Sequence, residues 1–489
     1  MRKKGKSVEL VVMMFILATT AICLLVWPTS VVTVAAAGVL AVLGASLAIE
    51  LFFGRRPMSL TAGMSVALMA GYGGGAFNTF LSLYATGVDP FRVIAIPVSY
   101  VAYGFLMVYL ASIMLLLAML FEPPLFRSSD QIVMSRKLER FLWVATLLIA
   151  IAYYHGDISY QGTTVEAGTA RVSILGMIVS SLPFIVLPLI ASGIAQTRGW
   201  QKRRMIFLTL LLIIMIFPLG RRSLFYSLFI AAFTVLNLSG RKYRITTKQI
   251  FAIVSLLVSL IIISNYLFIA IRLSMDEINS RQKGNYLNAA LVDVIPRTVE
   301  TVLYRPDQVM DYLSDNLRTR TFVVGYLALL GRGGITAKPM LGQDALFCVQ
   351  LITPDIFYKL AGSDKTEIRR TGSEETLINE RFGLPVYDDA NSVLTAGFAD
   401  FGLLGVALYP LLICAIPRIL LWMCDAAFEP LVGTSWRLLL LMVYFQTEVE
   451  MDGYLGCFRD MAYVAVLWSL VGALPYLAAS TSPKSVEVA

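Results

Sequence analysis

Residues 8–27 read VELVVMMFILATTAICLLVW and residues 31–53 read VVTVAAAGVLAVLGASLAIELFF, parted only by Pro28, Thr29 and Ser30 and closed by Arg55 and Arg56. Each run is close to the roughly 20 apolar residues that a helix needs to cross the hydrocarbon core of a bilayer. The polar turn between them has room only for a hairpin. Arg2, Lys3, Lys4 and Lys6 precede the first run in the manner of a signal peptide, but no small-residue cleavage site follows and the second run begins at once. The segment reads as a first membrane span.

The rest of the chain continues the pattern. Of its 489 residues, 57% are hydrophobic and only 15% charged, against roughly 25% charged in an average soluble domain. Too little charged surface is available to cover a water-soluble enzyme of this size, and disorder, coiled coil and collagen fail on the same composition. Further apolar runs at Ser59 to Leu83, Ile94 to Phe121, Phe141 to Tyr154, Val172 to Ala195, Ile250 to Ile271, Val393 to Trp422 and Met461 to Leu477 predict spans. Met205 to Pro218 and Phe225 to Leu238 read as a helical pair bent around Gly220-Arg221-Arg222-Ser223, and Leu438 to Gln446 as a span that extends into polar flanks. The fold class expected is an all-α polytopic membrane protein of about 12 transmembrane helices with a large extracytoplasmic loop that contains short helices.

The net charge of +8 tests that count, because alternate loops of a correctly counted bundle are basic on one side. Arg55 with Arg56, then Arg127, Arg136, Lys137 and Arg140, then Arg198, Lys202, Arg203 and Arg204, then Arg241, Lys242, Arg244 and Lys248 all fall on the side of the N-terminal basic residues. Both termini are therefore expected in the cytoplasm. The excess of positive charge is explained without nucleic acid. The resulting organisation is residues 1–271 for the first nine spans, 272–392 for the large outer loop, 393–480 for the last three spans and 481–489 for a cytoplasmic tail. Within the loop, the apolar stretches Thr321 to Leu330 and Leu346 to Leu360 are too short to span and fit helices lying on, or dipping into, the outer leaflet. A loop of that length between two spans usually has a function or a fold of its own.

Arg221 and Arg222 break the charge pattern by standing at the outer end of a hairpin of spans. Guanidinium forks bind phosphate bidentately, so at membrane depth they suit a lipid-linked diphosphate. The bland alternative is a pair that snorkels to head-group phosphates from a turn on the other side. Arg272, with Arg281 and Lys283, would extend the same cationic surface, or would serve as ordinary interfacial anchors. The loop closes on Tyr387-Asp388-Asp389-Ala390-Asn391-Ser392, followed by Thr395, Gly397, Asp400, Gly402 and Gly405 in the next apolar run. Asp388, Asp389, Glu374, Glu375 and Glu380 are candidates for a base that accepts a sugar hydroxyl proton, although any one alone reads first as a solvated loop acid and the cluster says more than any member. Glu448, Glu450, Asp452, Arg459 and Asp460 form a second acidic stretch on the same face, able to bind sugar hydroxyls or to pair with the arginines.

Other features carry less. The one histidine, His155, has no visible partner for catalysis and reads as an interfacial anchor. The five cysteines are scattered without a CxxC, so no zinc site or disulfide framework is expected. The run Gly71, Gly73, Gly74 and Gly75 lacks the Lys-Ser/Thr of a phosphate loop and reads as a place where helices pack closely or kink.

The layout resembles the bacterial Wzy-type O-antigen and exopolysaccharide repeat-unit polymerases, with the related O-antigen ligases. The resemblance is carried by the twelve-span pattern, the outer turn Gly220-Arg221-Arg222-Ser223, the long outer loop, and Asn391-Ser392 leading into Phe398-Ala-Asp-Phe-Gly-Leu-Leu-Gly405, which looks like the family's segment where the loop re-enters the membrane. It implies a metal-independent glycosyltransferase with a GT-C-like fold and no cofactor, acting on undecaprenyl-diphosphate-linked oligosaccharides at the outer face of the bacterial plasma membrane. A chain-length regulator protein is an implied partner; nucleic acid is not. Catalysis would rest on Arg221, Arg222, Arg272, Asp389 and Asn391, and substrate binding on Arg281, Arg320, Arg332, Glu375, Glu380, Glu448 and Arg459. Arg320 to Gly331 also matches an Arg-x10-Gly spacing found in outer loops of the polymerases, a match that the 35 glycines make easy. The ligases carry a His before the Asn that opens the re-entry span, where this chain has Ala390, so the polymerase reaction is favoured. A transporter or flippase for the same lipid-linked saccharide, or a partner protein of an export machine, remains the alternative; a transporter should carry ionisable groups at mid-span and internal symmetry, and neither is visible here.

Overall fold

The computed structural model describes residues 2–126, 132–155, 178–216, 221–238, 262–277, 290–384 and 391–480, apart from 54–55, 180, 272, 275–276, 320, 335–336 and 428, together with the isolated positions 255 and 259. The described residues form helices and their connections, with no strand among them. Helices Val8–Val26, Ser30–Phe52, Val98–Phe121, Leu403–Ala426 and Met451–Gly472 are long and apolar enough to cross a membrane. Backbone in hydrocarbon must satisfy its own hydrogen bonds, and the helix does this within one segment. Thr29 caps the second helix through Val32 N, so the hairpin expected from the opening stretch forms as read.

Ion pairs mark one end of the bundle. Arg56, after Ser30–Phe52, bonds Glu9 at 2.7 Å and also reaches Glu50. Glu122, after Val98–Phe121, caps the helix that starts at Leu60 by accepting from Leu60 N and Thr61 N, and it pairs with Arg418 at 2.8 Å. Lys137 bonds Glu429 at 2.6 Å, Glu429 also accepts from the Trp468 indole, and Arg204 pairs with Glu139. The chain ends of neighbouring helices meet there too, through Ile132 N to Leu238 O and Gln196 to Ile132 O. Arg56, Lys137 and Arg204, from loops expected on one side, are thus gathered at a single end, each paired with a carboxylate.

The span expected at Ser59 to Leu83 is one continuous helical rod with a wide π-helical turn at Met69–Gly74 between Leu60–Leu68 and Gly75–Ala85. The glycine run pays for this local unwinding with contact. A Cβ on Gly73 would lie 2.4 Å from Leu40 Cβ, on Gly71 1.8 Å from Thr447 Oγ1, and on Gly75 2.1 Å from the Thr321 carbonyl oxygen. The close-packing reading of the run holds.

The single span expected from Val393 to Trp422 is corrected to two helices, Val393–Phe401 and Leu403–Ala427. They turn at Gly402, whose φ of 60° and ψ of −142° lie in a region open essentially to glycine alone. The short helix folds back on the longer one so tightly that a Cβ on Gly405 would sit 1.8 Å from the Gly397 carbonyl oxygen. Hydropathy cannot see such a break, because both arms are apolar and only the backbone reverses. The outer-loop stretch from Thr321 to Leu330 forms the helix Val324–Gly333, buried against the first half of Val98–Phe121, where Gly104 lets Val324 and Ala328 approach. The second apolar stretch, Leu346 to Leu360, is split at Thr353-Pro354 into Gln343–Ile352 and Asp355–Leu360.

Candidate functional site

The short helix Val393–Phe401 organises the other end of the bundle. Ser392 caps it by accepting from Leu394 N, and Thr395 closes a reciprocal cap by accepting from Ser392 N at 2.8 Å. Asn391 Oδ1 accepts from Ser392 N at 2.8 Å and from the Thr395 hydroxyl. Tyr72, from the π-helical turn, reaches Ser392 Oγ at 2.5 Å. Asn391, Ser392 and Thr395 are buried, and Asn391 Nδ2 has no hydrogen-bond partner among the described residues. A buried amide donor of that kind costs free energy unless something accepts from it.

At the other end of the same helix, Asp400 holds the segment around Asp344 in place. Its carboxylate accepts from Asp344 N and Ala345 N, each at 3.1 Å, and from the Tyr409 hydroxyl at 2.5 Å. The first two are orphan donors at the start of Gln343–Ile352, where a negative charge also suits the helix dipole. Met340 N and Leu341 N bond to the carbonyls of Ala399 and Asp400 beside them. Asp400→Asn removes the charge and turns one donor against these donors. It is expected to cost about 2 kcal/mol, the scale of a buried charged hydrogen bond, and to make the segment around Leu341 newly sensitive to protease. An unchanged melting temperature together with unchanged cleavage would mean that other contacts hold this loop.

Between the short helix Val393–Phe401, the helix Val324–Gly333 and the start of Val98–Phe121 lies a cavity of about 390 Å³ lined by Ser99, Tyr100, Tyr103, Gly331, Gly334 and Phe398. Aromatic faces with small residues between them suit the flat, apolar side of a sugar ring or a prenyl chain. Arg332 is exposed between the two lining glycines.

Beyond Asp400 the loop meets the segment before the last helix. Glu374, at the start of Glu374–Phe382, accepts from Met451 N at 2.7 Å and from the Cys348 thiol at 3.3 Å. Burial pushes the Asp344 carboxyl up to about 8, with the charges of Asp400, Glu450 and Asp452 adding to it. Burial and then Asp344 raise Glu374 well above the usual carboxylate range, and burial with Asp452 and Glu375 raises Glu450 to about 7. Cys348 is raised by burial and by Glu374, so it stays a thiol.

The two acidic stretches read separately from the sequence are therefore neighbours in space. Glu375 and Glu448 are half-buried in this region, while Glu380 is exposed. Arg459 bonds Asp460 at 3.0 Å, and Asp460 also accepts from Ser181, so that arginine is engaged within its own helix rather than turned to the loop acids. Arg272, Arg281, Lys283, Arg320, Asp388, Asp389 and Ala390 lie outside the described residues, as do the side chains of Arg221, Arg222 and His155. The backbone of Arg221 and Arg222 is described and opens the helix Arg221–Leu238. That helix ends at Leu238 in the cluster of basic ends, and its 18 residues extend roughly 27 Å. Its start lies at the opposite end, as does Met451 relative to Trp468 along the last helix.

Sequence reading missed Asp344, Cys348 and Tyr72. The first two carried a signal: four residues apart, they share a helix face, with Asp344 in the first turn after Gly342, whose φ is 90°. Tyr72 carried none, because its value comes from Ser392, which is far away in the chain. No family model matches the chain, and neither a curated protein nor a solved structure matches it.

Proposed function

We propose that the chain polymerises undecaprenyl-diphosphate-linked oligosaccharide repeat units at the outer face of a bacterial plasma membrane, moving the growing glycan onto a new lipid-linked unit. In this reading about 12 spans, with both termini cytoplasmic, present the 272–392 loop outside. The observation that carries it is the position of the Arg221–Arg222 helix start, at the end of the bundle away from the cluster of basic helix ends. That position favours a phosphate clamp over a snorkelling pair from a loop on the other side. The aromatic cavity beside Arg332 adds a place for a saccharide or prenyl chain among the apolar helices.

The chemistry asked of such a site is modest in covalent terms. An acceptor hydroxyl oxygen attacks the anomeric carbon of the donor glycan, the bond from that carbon to the diphosphate oxygen breaks, and undecaprenyl diphosphate leaves with the electron pair. Arg221, Arg222 and Arg272 stabilise the charge that grows on the leaving diphosphate. The acceptor's proton passes to a carboxylate at the loop's end, with Asp389 as the candidate and Asn391 orienting the hydroxyl. Arg281, Arg320, Arg332, Glu375, Glu380 and Glu448 are left to bind sugar and phosphate groups; Arg459, bonded to Asp460, is the weakest of the original set.

Purified protein reconstituted in liposomes with lipid-linked repeat units is expected to yield a ladder of longer glycans. Movement of single units across the bilayer with no growth in length would overturn the polymerase in favour of a transporter.

A further inference from the structure

Four carboxylates meet where the outer loop touches the start of the helix Met451–Ser480. Asp344 and Glu374 are fully buried, and Glu450 and Asp452 are half-buried beside them. The contrast with Asp400 next door is sharp, since that carboxylate has two backbone donors and a tyrosine hydroxyl. Asp344 faces the Glu374 carboxyl and takes no N–H or hydroxyl donor on either oxygen, and Glu374 has no such donor on Oε1 while Oε2 takes Met451 N and the Cys348 thiol. Orphaned carboxylate oxygens away from water are strongly disfavoured unless a positive charge meets them. The arginine that acts on this cluster, Arg459, does so through Asp452 at its edge and is itself bonded to Asp460.

The spacing suits an ion. One ligand atom from each of Glu374, Glu450 and Asp452 lies within 4.8 Å of the other two, and the same holds for Asp344, Cys348 and Glu374. Oxygens on opposite sides of a cation with bonds of roughly 2.4 Å stand about 4.8 Å apart. Glu374 belongs to both groups and so joins the buried pair to the half-buried one, which also provides an entry path. Carboxylate oxygens dominate the set, which selects hard cations over zinc.

We propose that Glu374, Glu450 and Asp452, backed by Asp344, hold a divalent cation of the calcium, magnesium and manganese class that pins the outer loop to the last helix. This goes beyond the glycosyl transfer proposed above: the ion is structural and takes no part in the transfer step, so either idea can fail without the other.

The full chain in detergent, stripped with EDTA at neutral pH, is the material for the test. Added Ca2+ is expected to raise the melting temperature by roughly 5 °C, the scale of ligand-linked stabilisation, and Mn2+ to bind at one ion per chain by electron paramagnetic resonance. Glu450→Gln, a half-exposed position that leaves the buried pair in place, is expected to weaken Mn2+ binding at least tenfold. Glu374→Gln with Asp344→Asn is expected to abolish both the binding and the thermal shift. Equal melting in EDTA and in Ca2+, or a shift that survives in the double variant, overturns the site. A shift given by Zn2+ alone and lost in Cys348→Ser overturns the assignment to a hard cation.

Discussion

Arg222→Ala is expected to abolish long-chain polysaccharide while single repeat units on their lipid carrier accumulate at the outer face. Arg222 opens the helix Arg221–Leu238 at the end of the bundle away from the cluster of basic helix ends, where charge sorting offers no reason for a basic residue. If Arg222 meets the diphosphate, its interaction strengthens as the anomeric bond breaks and the leaving group takes up charge. Loss of one such preorganised donor costs roughly 10²–10³ in rate. A long chain needs the same transfer many times over, so a fall of that size in each step collapses the length distribution rather than trimming it. Arg222→Lys keeps the charge and loses the bidentate fork, and is expected to leave short chains. Polysaccharide of normal length from Arg222→Ala, at normal protein level, would sink the diphosphate clamp. Repeat units retained on the cytoplasmic face would instead favour transport.

The second large effect lies in the glycine run. Gly73→Val is expected to deplete folded protein from the membrane, whereas Gly74→Ala is expected to leave it unchanged. At Gly73 a Cβ alone would stand 2.8 Å from Ala41 N and 2.4 Å from Leu40 Cβ, and neither a backbone nitrogen nor a Cβ can move without shifting its helix. A Cβ on Gly74 would meet only Ala41 Cβ at 4.0 Å, an ordinary contact. Overpacking of a close core position costs about 1–3 kcal/mol when the surroundings can adjust and more when they cannot. Between two helices that meet backbone to backbone they cannot. Yield of monodisperse protein and its melting temperature in detergent are the readouts; a Gly73→Val protein as stable as the parent would mean that the helices do not pack as described.

These two cases divide what could be read in advance. The glycine run was legible as a packing device because glycines inside an apolar run have few other uses there. The acidic cluster was not, since Asp344, Glu374 and Glu450 come from separate segments and each alone looks like a solvated loop acid. The site of Tyr72 was equally hidden, because a tyrosine in an apolar run reads the same whether or not Ser392 lies opposite its hydroxyl. The chain reversal left one trace, Gly402 between Gly397 and Gly405, but period and hydropathy do not tell a straight helix from two that fold back.

The sequence by itself determined that lipid must cover the molecule, that helices must carry it, and that basic residues gather at one set of loop ends. Those are properties of composition and of local runs, and the hydrogen bonds of a helix are local as well. Only the tertiary structure decided that the helix Val324–Gly333 sinks into the bundle, that the chain reverses at Gly402, and that carboxylates from separate segments share one buried place. Such outcomes depend on which surfaces meet, and no local pattern records the residue on the other side.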